Sequence, residues 1–157
     1  MKKKKKDFFF GKENDIYTKK IILFLKNKFD LIIFLSSTPN EKFDIKIKKT
    51  KNIDYIFCFR SYFILKKNIL SKVRYHSINF HPGPPEFRGI GCVNFALLNQ
   101  AKYYGLTAHL IDEKVDHGII IDVERFKIEK TLTVEDLLDK DFELARISGD
   151  AIDKPII

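Results

Sequence analysis

The chain has 157 residues, 45% of them hydrophobic and 15 of them Phe, which is enough for one domain with its own core. A charged fraction of 32% and the lack of any apolar run near the ~20 residues of a membrane helix argue against a membrane protein. The net charge of +8 is uneven: residues 1–75 hold 20 Lys and Arg against 7 Asp and Glu, and residues 76–157 hold 9 against 14.

Lys2–Lys6 read as a solvated basic N-terminus, so residues 1–6 are expected to be disordered. Residues 7–148 then form the domain and residues 149–157 a short tail. Phe8-Phe9-Phe10 before Gly11 predicts a short buried strand. Apolar residues at 16, 17, 21, 22, 24, 25 and 29 predict an amphipathic helix capped by Asn14 or Asp15. Leu31–Leu35 is a continuous apolar run, as in a parallel strand covered on both faces. Phe43, Ile45 and Ile47 alternate, which fits a short strand or an irregular connection. Ile53–Phe59 predicts a strand, Ile64–Ser71 a short helix or turn, and Tyr75–Phe80 a strand leading into His81. Gly91–Gln100 reads as a helix and Leu106–Ile111 as a strand. A turn at Asp116-His117-Gly118 precedes Ile119-Ile120-Ile121. Thr133–Ala145 reads as a helix with Asp136 three residues after its cap. This alternation predicts an α/β domain with a mainly parallel sheet flanked by helices.

Chemistry concentrates in Asn79-Phe80-His81-Pro82-Gly83-Pro84-Pro85-Glu86-Phe87-Arg88-Gly89. Residues i and i+2 of a strand share a face, so Asn79 and His81 can meet one reacting atom. They lie at the carboxyl end of a strand, where ligands sit in such sheets. The pair offers an oxyanion donor beside an acid–base group. Asp116 in a tight turn is either the carboxylate that orients His81 or an ordinary turn residue, and spacing leaves both open. Cys58 and Cys92 have no metal-ligand or disulfide spacing, so they are expected as reduced thiols in a cytoplasmic protein, with no metal. No signal-peptide core opens the chain.

The segment from Ser77 to Gly91 resembles the signature of the folate-dependent formyltransferases, and Gly105–Ile120 resembles its second half. The resemblance implies a Rossmann-like formyltransferase fold, 10-formyltetrahydrofolate as co-substrate and a primary amine as acceptor. It places the catalytic set on Asn79, His81 and Asp116. It implies folate contacts from the Ile111–Asp116 loop, that is Ile111, Asp112, Glu113 and Val115, and from an apolar wall at Ile64 and Leu65. The Gly83-Pro84-Pro85 turn is most similar to that of the sugar N-formyltransferases, which act on nucleotide-linked amino-deoxysugars for surface polysaccharides such as the lipopolysaccharide O-antigen. The resemblance also implies a longer, tRNA-holding chain for the methionyl-tRNA enzymes, so the end at Ile157 is expected to disfavour tRNA. A homodimer is the expected assembly. The alternatives are glycinamide ribonucleotide as acceptor, a truncated inactive relative, or a basic nucleic-acid-binding module. The last is opposed by the acidic second half and the lack of an aromatic–basic motif.

Overall fold

The four strands that open the chain pair in parallel because helical or looped crossovers separate them. The structure, a computed structural model, describes residues 6–39, 41 and 45–151. Six strands form one sheet in the order β2-β1-β3-β4-β5-β6. They are β1 (Asp7–Lys12), β2 (Leu31–Ser36), β3 (Ile53–Phe59), β4 (Val73–His81), β5 (Tyr103–Leu110) and β6 (Ile120–Lys127). The pairings of β1 with β2, β1 with β3 and β3 with β4 are parallel, and β4–β5 and β5–β6 are antiparallel. Among the described residues four helices connect them, α1 (Ile16–Lys26), α2 (Ile45–Lys49), α3 (Lys67–Leu70) and α4 (Cys92–Leu98), and α5 (Val134–Ala151) follows the last strand.

Strand alternation sorts the Phe-rich runs onto two faces. Phe9, Phe57, Phe59, Ile78 and Phe80 pack with Ile21, Ile22 and Leu25 of α1 and Ala145 of α5. Phe8, Phe10, Ile56 and Cys58 face the other way, onto Ile47, Leu65 and Ile69. A third cluster joins Cys92, Val93 and Ala96 of α4 to Tyr104 and Leu137. Asp15 is the N-cap of α1, its carboxylate taking the Thr18 N–H at 2.8 Å. Thr133 and Asp136 form a reciprocal cap on α5.

The Rossmann-like expectation holds, with three local differences. β2 is an edge strand, and Ile32 and Leu35 are exposed, because an apolar run cannot say on which side its neighbours stop. Ile45–Lys49 is a short helix that buries Ile47, where alternation had suggested a short strand or an irregular connection; Phe43 lies outside the described residues. α5 runs past Ala145 to Ala151. Ser148-Gly149 resembles a stop signal in sequence, yet Gly149 sits where an added Cβ would come within 2.8 Å of the Phe24 ring. The glycine there allows close helix–helix packing. Lys2–Lys5 and residues 152–157 lie outside the described residues, so neither the basic terminus nor the end of the tail is placed.

Candidate active site

β4 carries Asn79 and His81 to its carboxyl end on one face, opposite the side that buries Ile78 and Phe80. Antiparallel pairing sets Asn79 directly against His109 of β5. The chain then leaves β5 in a loop that closes on itself. The Ile111 N–H bonds the Ser77 carbonyl and the Leu110 N–H bonds the Ile119 carbonyl, both at 2.8 Å. Gly118 makes this return possible, since a Cβ there would fall 1.6 Å from the Leu110 carbonyl oxygen. Asp112 shapes the loop from within, accepting the Lys114 N–H at 2.8 Å and meeting His117 Nδ1 at 3.0 Å.

That return brings Asp116, with φ of 51°, back over β4 and β5. Its Oδ2 accepts the Gly89 N–H at 2.9 Å and lies 3.5 Å from His81 Nδ1. Its Oδ1 accepts the Asn79 Nδ2 group at 3.3 Å and lies 3.5 Å from His109 Nε2. All three predicted polar residues therefore converge, and Asp116 is more than a turn residue. Burial works to raise the Asp116 pKa. The adjacent His109 and His81 rings and the Gly89 N–H outweigh it and hold the carboxyl at about 2.

The two imidazoles are pinned differently. His81 Nε2 donates to the Phe87 carbonyl at 2.8 Å, so Nδ1 is the ring nitrogen left toward Asp116. His109 Nδ1 donates to the Leu110 carbonyl at 2.8 Å, which turns Nε2 toward Asn79 Nδ2 at 3.1 Å. His109 is a direct contact of two members of the site, Asn79 and Asp116. No sequence signal marks it, because strand register decides which residue faces Asn79.

Gly83 is a requirement of close approach. A Cβ there would lie 2.8 Å from both His81 Nε2 and the Phe87 oxygen, the two ends of one hydrogen bond. Gly83→Ala is expected to push the imidazole aside and lower turnover roughly ten- to thirty-fold, short of what a 1 Å misplacement costs. Wild-type kinetics in the Ala variant would contradict this. Glu86 and Arg125 form a bidentate pair at 2.7 and 3.1 Å that ties the same loop to β6.

A cavity of about 640 Å³ opens over these residues, within the usual range for small-molecule sites. Asn79, His81, His109 and Asp116 line it. So do all of the residues expected at the donor: Ile64, Leu65, Ile111, Asp112, Glu113 and Val115. Leu65 is also a core residue, while Ile64 is half exposed. Lys12, the last residue of β1, also reaches the cavity. Arg88 is an exposed loop arginine that bonds the Pro85 carbonyl. No cluster of His, Cys, Asp and Glu suited to a metal occurs among the described residues. None of their helices is long and apolar enough to cross a membrane.

Residues 14–146 match the formyl transferase family. The chain belongs to that family. All four polar residues of the site fall inside the matched segment. Like the methionyl-tRNA formyltransferase of Finegoldia magna, it carries this unit; the two are 30% identical over 128 residues, 81% of this chain and 40% of the relative. The formyl transferase chain thus spans less than half the length of that curated relative. Its fold matches that of the Helicobacter canadensis N-formyltransferase, crystallised with folinic acid and dTDP-3-aminofucose, with a TM-score of 0.75 and 21% identity. That match covers 97% of this chain and 64% of the other. Phosphoribosylglycinamide formyltransferase from Bacillus halodurans matches with a TM-score of 0.72 and 21% identity over 91% and 90% of the two chains.

Proposed function

We propose that this chain transfers the formyl group of 10-formyltetrahydrofolate to the amine of a nucleotide-linked amino-deoxysugar, for surface polysaccharide synthesis in the cytoplasm. The observation that carries the reading is the convergence of Asn79, His81 and Asp116 on one buried point of the cavity. The folinic acid and amino-sugar nucleotide held by the Helicobacter canadensis neighbour support the choice of donor and acceptor.

The neutral amine attacks the formyl carbon, a C–N bond forms and an oxyanion develops. Asn79 Nδ2 bonds His109 and Asp116, and the longer of the two contacts, 3.3 Å to Asp116, is the one the oxyanion replaces. His81, with Nε2–H committed to Phe87, offers Nδ1–H as the second donor in the imidazolium form. Asp116 stays ionised at neutral pH and supports that proton. Collapse of the intermediate breaks the bond from the formyl carbon to N10 of the folate. The proton lost by the attacking amine passes to that nitrogen through the His81–Asp116 pair. Ile64, Leu65, Ile111, Asp112, Glu113 and Val115 line the donor's side of the cavity, and Asp112 acts mainly by shaping its loop.

Methionyl-tRNA is the second reading, favoured by the 30% identity to the Finegoldia magna enzyme. The fold neighbour from Bacillus halodurans keeps glycinamide ribonucleotide as a third acceptor. One assay separates them: 10-formyltetrahydrofolate with dTDP-3-aminofucose, methionyl-tRNA or glycinamide ribonucleotide, read as formylated product. Product from the sugar nucleotide alone is expected. Product from either other acceptor, with none from the sugar, would end the sugar reading and keep the formyl transfer.

A further inference from the structure

Arg60 follows β3 with φ of 53°, in the left-handed region that favours glycine. That conformation is disfavoured for a residue with a side chain, and such strain gathers where function requires it. The guanidinium lies over the Tyr17 ring at 5.8 Å, and its Nε is 3.2 Å from Asp15 Oδ1. Asp15 is itself engaged, accepting both the N–H and the hydroxyl of Thr18. Arg60 lines the cavity, and its two terminal nitrogens make no hydrogen bond among the described residues. Lys12, stacked over Tyr62 at 5.4 Å, lines the same cavity. Asp141 is near enough to feel the Arg60 charge, but burial keeps it protonated at neutral pH. Arg60 and Lys12 therefore face the cavity on the β1–β3 side, with Lys114 of the β5–β6 loop as the third basic side chain in its lining and the Asp15 carboxyl beside Arg60.

We propose that Arg60 is the acceptor-recognition residue of this site, gripping a phosphoryl group of the acceptor with its terminal nitrogens while Lys12 supplies a second charge. A planar guanidinium held along one edge and one face is suited to bidentate contact with phosphate oxygens. The proposal rests on the formyl-transfer reading for naming the acceptor as carrier of the phosphoryl group; the anion site itself can be tested without turnover.

The test is calorimetric titration of the full chain with inorganic pyrophosphate and with inorganic phosphate, in wild type, Arg60→Gly and Arg60→Lys. Glycine relieves the left-handed strain, so the Gly variant is expected to stay folded, and the Lys variant keeps the charge should it not. Binding in wild type that weakens about 10- to 100-fold in Arg60→Gly, and less in Arg60→Lys, is the expected result. Preference for pyrophosphate marks a diphosphate-linked acceptor and preference for phosphate a phosphomonoester; both uphold Arg60. No anion binding by wild type, or equal binding by wild type and Arg60→Gly, overturns the proposal. Folinic acid is titrated into the same samples. Its failure to bind any of them would sink the folate reading and leave the anion comparison standing.

Discussion

Replacing Asp116 with Asn is expected to cut the turnover of formyl transfer by about 10²- to 10⁴-fold, the range lost with an acid–base partner or an oxyanion donor. The carboxylate takes an N–H from Gly89 and another from Asn79, and faces one nitrogen of each histidine. An amide has one acceptor end, so either Gly89 or Asn79 meets a donor instead. The negative charge that supports the His81 proton is also gone. Stability gives an independent check. Asp116 titrates at about 2 when folded, below its ordinary 3.8, so its contribution is complete above pH 4 and is lost as pH falls toward 2. That acid-side loss, about 2 kcal/mol, should be absent from the variant. Single-turnover rates within threefold of wild type would remove Asp116 from the chemistry.

The second large effect concerns Asp141, buried in α5 with neither carboxylate oxygen hydrogen-bonded among the described residues. Burial raises its pKa to about 8 against the opposing charge of Arg60. The folded state then holds a proton that the unfolded chain releases near pH 3.8. The stability contributed by Asp141 is therefore greatest below about pH 4 and declines as pH climbs from about 4 to about 8, by on the order of 3–5 kcal/mol over the window. Asp141→Leu removes this slope. At pH 8 it is expected to be more stable than wild type by about 2–4 kcal/mol, whereas Asp141→Asn gains less because its amide stays unpartnered. Urea unfolding of wild type and variants from pH 5 to pH 8 reads the difference, to which the other titrating groups contribute equally. Parallel curves for wild type and Asp141→Leu would show that the carboxyl is solvated or paired.

Local pattern carried much of this structure into the sequence. The apolar runs Phe8 to Phe10 and Ile53 to Phe59 specified buried strands, and the i, i+2 relation of Asn79 and His81 was already a geometric statement. What stayed hidden depends on partners distant along the chain. The edge position of β2 is a property of strand order. The role of His109 comes from the register that sets it against Asn79. The acceptor for His81 Nε2 is a backbone carbonyl, Phe87, which no residue type advertises. Gly83 looked like turn punctuation, and its decisive property is the absence of a methyl group between those two atoms. Arg60 and Asp141, far apart along the chain, come within reach of each other's charge only after folding.

The loop between β5 and β6 is tied off at its base by the Leu110–Ile119 and Ile111–Ser77 bonds. A clamp of that kind makes the loop a module. Asp116 is fixed by the clamp and by Gly89, whereas the stretch from Asp112 to Val115 projects from it toward the cavity. On the proposed formyl-transfer reading, substitutions at Glu113 and Val115 therefore retune the fit of the donor without relocating the carboxylate, provided Asp112 keeps its contacts with Lys114 and His117. Donor selectivity and catalytic competence become separately adjustable, which gives an engineer seeking activity with folate analogues a short, defined window in which to vary the chain.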